Sequence, residues 1–156
     1  MLRSVLLLVF FYASGVLAAE SEPIALHTTE RRFQDFIASL KAAARKKDAS
    51  AVYALLAHDY YIARDFGGSF DPSAPPTRNF SAHFEFNNAN LRPEYRDHGW
   101  VEFRRAIFST HFEKKLDGQL CTPHGALDKK PFSYSQLCFR KHNGGWRIQG
   151  HINGGD

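Results

Sequence analysis

Residues 32–62 read RFQDFIASLKAAARKKDASAVYALLAHDYYI, and their spacing decides the architecture of the chain. Phe33, Phe36, Ile37, Leu40 and Ala44 recur at helical intervals and make one apolar stripe. Thr28 or Thr29 is expected to cap this helix, with Glu30 in the first turn, where the helix dipole favours an anion. Lys46 and Lys47 close it. Asp48 then starts a second helix as N-cap, with Val52, Leu55 and Leu56 as its buried face. His58-Asp59 reads as the stop of that helix. Tyr60, Tyr61 and Ile62 favour a strand, which ends at Phe66-Gly67-Gly68.

Working outward, residues 20–27 form a short polar lead. Residues 67–98 are expected to be a long irregular loop, since Asp71-Pro72 and Pro75-Pro76 interrupt regular structure. Within it, Phe80, Phe84 and Phe86 alternate in part with polar residues, so a short strand is expected over 80–86. Asn79-Phe80-Ser81 matches the glycosylation pattern of eukaryotic secreted chains. A third helix begins at Gly99-Trp100 and buries Trp100, Phe103 and Ile107, leaving Glu102, Arg104 and Arg105 to water. Three strands follow, at 116–122, 132–141 and 146–152. His142-Asn143-Gly144-Gly145 joins the last two as a hairpin turn, because Asn and Gly tolerate positive φ.

The order helix, helix, strand, helix and antiparallel meander resembles that of the NTF2-like (ketosteroid-isomerase-like) superfamily. The segment quoted above is similar to that superfamily's opening helical pair and first strand. The closing segment FRKHNGGWRIQGHINGGD, residues 139–156, is similar to its final hairpin. The resemblance implies an α+β fold, with N-terminal helices packed on a curved, mainly antiparallel sheet that forms a cone. The superfamily includes enzymes and non-catalytic domains, so the fold leaves function open. In its isomerase-like branch a tyrosine and acidic groups face one pocket. No motif aligns those groups one by one with this chain.

The first nineteen residues, MLRSVLLLVFFYASGVLAA, combine one basic residue, an apolar run and a small-residue ending. That is the layout of a secretory signal peptide. Residues 1–19 are therefore read as removed, and residues 20–156 as one domain in a secreted or periplasmic protein without stable membrane insertion after cleavage. Twelve of the fourteen phenylalanines lie after Phe10 and Phe11, which implies a core of large flat side chains. Cys121 and Cys138 form the only cysteine pair, and in an oxidising compartment they are expected to be disulfide-bonded. The basic residues are scattered and most aromatics sit at core-like spacings, which argues against nucleic acid as a partner.

The reactive constellations are sparse. Asp59, Tyr61 and Asp65 are the catalytic candidates, as acid and phenol types suited to proton transfer in a cone pocket. Each has a plainer reading: helix stop for His58-Asp59, and turn for Arg64-Asp65-Phe66-Gly67-Gly68. No two histidines show the i, i+4 spacing of a helical metal pair, no second cysteine pair completes a zinc site, and no phosphate loop or nucleophile elbow occurs. No cofactor and no metal are expected. The reading that follows is an exported, non-catalytic domain that binds a small apolar or amphipathic ligand or an exported protein partner. The alternative is an isomerase- or hydratase-type enzyme using an acidic residue and a tyrosine. An uncovered sheet face would make a homodimer the further partner.

Overall fold

In a computed structural model the described residues are 22–63, 70–86, 89–125 and 135–153. They form four helices and six strands: β1 (Ile24–Ala25), α1 (Arg31–Lys46), α2 (Ala49–Tyr53), β2 (Leu56–Ala63), α3 (Pro76–Phe84), α4 (His98–Ile107), β3 (His111–Lys114), β4 (Leu120–Thr122), β5 (Ser135–His142) and β6 (Gly145–Asn153). The sheet runs β1-β3-β4-β5-β6-β2 and is open, with β1 and β2 at its edges. Neighbours are antiparallel except β2, which lies parallel to β6. This is an α+β fold.

Helix α1 follows its apolar stripe: Phe33, Phe36, Ile37, Leu40, Ala43 and Ala44 are buried. Its N-cap is Glu30, not a threonine, and the Glu30 side chain makes no cap bond. Instead its carboxylate accepts from Trp146 Nε1 at 2.5 Å and from Lys141 Nζ at 3.2 Å, tying the helix start to the β5–β6 hairpin. Those hydrogen bonds, the tryptophan's first, hold the Glu30 carboxyl below its ordinary pKa. At the other end Lys47 takes the left-handed conformation, and the Asp48 side chain accepts from Ala51 N at 3.0 Å to start α2.

The chain departs from expectation elsewhere as well. Helix α2 stops at Tyr53, so His58 and Asp59 belong to strand β2 and do not end a helix. The segment expected to be a loop contains α3, with no strand over 80–86. Proline at the first helical turn is favourable because its missing N–H is not needed there, and Phe80 and Phe84 share a face four residues apart. Strand β3 is a fourth strand of the C-terminal region, ahead of β4. Asn79 on α3 is 2% exposed: its side chain accepts from Asp71 N and donates to Asp71 O, so it is no glycosylation acceptor in the folded chain.

The interior is aromatic. Phe33 meets Phe112, Phe139 and Trp146, with ring centres 5.1, 5.8 and 4.6 Å apart. Phe86 lies flat on Trp100 at 3.7 Å. Phe80, Phe84 and Phe103 complete a second group beneath α3 and α4. Gly99 lets these helices approach, since a Cβ there would lie 1.3 Å from the Phe84 carbonyl oxygen. Cys121 and Cys138 face each other across β4 and β5 and are disulfide-bonded. The closing turn also follows expectation, with positive φ at Asn143 and Gly144.

Candidate functional site

Three places in this fold gather chemistry, and the first holds Asp59, one of the three catalytic candidates. On the edge strand β2 the register shifts between Leu56 and Tyr61, and His58 and Asp59 are both exposed. Asp59 Oδ1 lies 3.8 Å from His58 Nδ1 and 3.9 Å from His142 Nε2. His142 ends β5 and comes to this edge across β6. Between them sits Gln149 of β6, 3% exposed, whose amide nitrogen donates to the Asp59 carbonyl at 3.1 Å. That bond turns the amide oxygen toward His142 Nε2, with which it is hydrogen-bonded. The proton of His142 is thereby placed on Nε2. Two imidazoles and a carboxylate thus offer ligand atoms that all lie within 4.8 Å of one another. Spacing along the chain gave no sign of this set, because the sheet assembles it.

Tyr61 points elsewhere. Its hydroxyl donates to Gln119 Oε1 at 2.9 Å, and Gln119 is itself held by Asp117 through a 2.6 Å bond. The Tyr61 ring lies over Gly150, where an added Cβ would come within 2.9 Å of it. Partial burial raises the phenol pKa, offset in part by the Gln119 bond. Asp59 and Tyr61 therefore engage separate partners. Asp65 lies outside the described residues.

The second place is buried. Tyr60 Oη donates to His151 Nδ1 at 2.5 Å, joining β2 to β6 on the helix-facing side of the sheet. Accepting at Nδ1 puts the His151 proton on Nε2, which has no hydrogen-bond partner among the described residues. The His83 ring of α3 lies 3.7 Å away. Burial, reinforced by the nearby His83, lowers the His151 pKa to about 2. Burial likewise pushes the Tyr60 phenol well up. Both groups are neutral across the ordinary pH range, too far from it to exchange protons efficiently. This pair is a clamp between strands, and neither residue had been singled out with the other.

The third place is an open groove of about 460 Å³ lined by Ala25, Leu26, His27, Gln34, Thr110 and His111. Its walls are fixed by backbone bonds. Leu26 N donates to Thr110 O at 2.9 Å, and Ala25 pairs with His111 between β1 and β3. The Gln34 amide reaches from α1 to the carbonyls of His27 and Thr29, at 3.3 and 2.8 Å. Apolar Ala25 and Leu26 stand beside imidazole, amide and hydroxyl groups, a lining suited to an amphipathic molecule. By contrast, the aromatic side chains of the core are packed ring against ring. The groove escaped the sequence reading because residues 20–27 look like a featureless polar lead.

Among the described residues no helix is long and apolar enough to cross a membrane. No family model, curated protein or solved structure matches the chain.

Proposed function

We propose that this chain is an exported domain of NTF2-like type that binds a small amphipathic ligand without transforming it. The observation that carries the reading is the groove at β1, α1 and β3. Its volume of about 460 Å³ falls within the range of small-molecule sites, and it combines apolar lining with imidazole and amide groups. The signal-like N-terminus and the Cys121–Cys138 disulfide support an oxidising, non-cytoplasmic setting. An isomerase-type site needs an acid and a phenol converging on one substrate. Here Asp59 associates with two histidines and Tyr61 with Gln119, which favours binding over catalysis.

The test is fluorescence titration with anilinonaphthalene sulfonate, an anionic amphiphile, against the parent and an Ala25→Trp variant whose new ring fills the groove. Saturable binding to the parent, weakened at least tenfold in the variant while circular dichroism is unchanged, supports the reading. Equal binding by both proteins would remove the groove as the site.

A further inference from the structure

We propose that His58, Asp59 and His142 form a binding site for a divalent cation of the zinc class, independent of the groove. The case rests on geometry and donor type. Asp59 Oδ1 is equidistant, within 0.1 Å, from His58 Nδ1 at 3.8 Å and His142 Nε2 at 3.9 Å. Nitrogen and oxygen ligands of a tetrahedral zinc ion, at bond lengths of 2.0–2.2 Å, sit roughly 3.3 Å from one another. The three atoms therefore need to close by only about half an ångström for the two pairs that include Asp59. His58 can supply that movement, since its side chain is 87% exposed.

The donor set selects the cation. Two imidazoles with one carboxylate suit zinc, nickel or copper, whereas calcium and magnesium prefer all-oxygen shells. Gln149 adds what an accidental surface cluster lacks. It is buried, its nitrogen is bonded to the Asp59 carbonyl, and its oxygen is oriented at His142 Nε2. Before any ion binds, the residue thus ties His142 and the Asp59 backbone to one point of β6. Metal binding moves the His142 proton from Nε2 to Nδ1 and gives the Nε2 lone pair to the ion. The Gln149 oxygen, released from that hydrogen bond, is a neutral oxygen donor beside the vacated position. His58 and Asp59 are adjacent on an edge strand, and the β5–β6 hairpin delivers His142 to the same edge of the sheet.

Calorimetric titration of tag-free protein with Zn²⁺ alone tests this. One saturable site per chain is expected. Its affinity should fall at least tenfold in each of His58→Ala, Asp59→Asn and His142→Ala, and stay unchanged in His98→Ala, a control histidine on α4. Replacing Zn²⁺ with Co²⁺ gives a second readout. The visible absorption of nitrogen-ligated cobalt should appear with the parent and vanish with Asp59→Asn. The His58 and Asp59 side chains are 87% and 50% exposed and that of His142 21%, and circular dichroism checks the folding of all three variants. Absence of saturable binding, or binding indifferent to the three substitutions, overturns the proposal and leaves the groove reading untouched.

Discussion

The Tyr60 hydroxyl donates to Nδ1 of His151 inside the core, a side-chain bond between the two parallel strands β2 and β6. It places a neutral polar pair where neighbouring residues are phenylalanines. Removing one partner of such a pair strands the other without solvent. Tyr60→Phe should therefore destabilise the fold by about 1–3 kcal/mol in denaturant unfolding. An unchanged midpoint would mean the bond is not formed.

The same histidine predicts a pH dependence. In the folded chain His151 has its pKa lowered to about 2, while an unfolded histidine titrates near its ordinary value of 6.5. As pH falls below that ordinary value, the unfolded chain takes up a proton that the folded chain refuses. Stability is therefore lost on acidification, by about 1.4 kcal/mol per pH unit from this residue alone. His151→Asn keeps an acceptor for Tyr60 but cannot titrate. Its stability between pH 4 and pH 6 should decline less steeply than the parent's by about that slope, and parallel slopes would refute the assignment.

The two tryptophans should differ. Trp100 is fully buried and stacked on Phe86, so Trp100→Ala should cost about 3–5 kcal/mol. Trp146 is half-buried, with its ring on Phe33 and its N–H on Glu30, so its loss should cost about 2 kcal/mol. Urea midpoints measure both. A Trp146→Ala midpoint equal to the parent's would contradict the contacts described.

Gly99 leaves no room for a methyl group, because its Cβ would overlap the Phe84 carbonyl of the neighbouring helix. Gly99→Ala should force α3 and α4 apart and destabilise by about 3 kcal/mol, despite alanine's better helix propensity. A stabilised variant, as propensity alone predicts, would contradict this close approach.

The legible parts of this fold were those decided by local physics. Helix α1 is legible because five of its six buried positions, all but Ala43, form the stripe at helical spacing, and the final turn because Asn143 and Gly144 accept positive φ. Helix α3 was misread because Phe80, Phe84 and Phe86 satisfy a strand's alternation as well as a helix's four-residue repeat. Its opening proline breaks a helix in the interior but starts one in the first turn, where it stands here. The parallel pairing of β2 with β6 was invisible, since only tertiary packing sets it. For the same reason Asp59 was noticed with the neighbouring His58 but not with His142 or Gln149, which reach it across the sheet. His27 and His111 line one groove only because β1 pairs with β3.

The proposed function requires that the groove bind an amphiphile and that the β2 candidates do no chemistry on it. Amide and imidazole NMR shifts of isotope-labelled protein, followed during titration with decanoate, test it most directly. Binding in the groove should give saturable shifts centred on Leu26, His27, Gln34, Thr110 and His111, with Asp59 and Tyr61 unmoved. Shifts centred on Asp59 and Tyr61, with the groove residues unaffected, would contradict it.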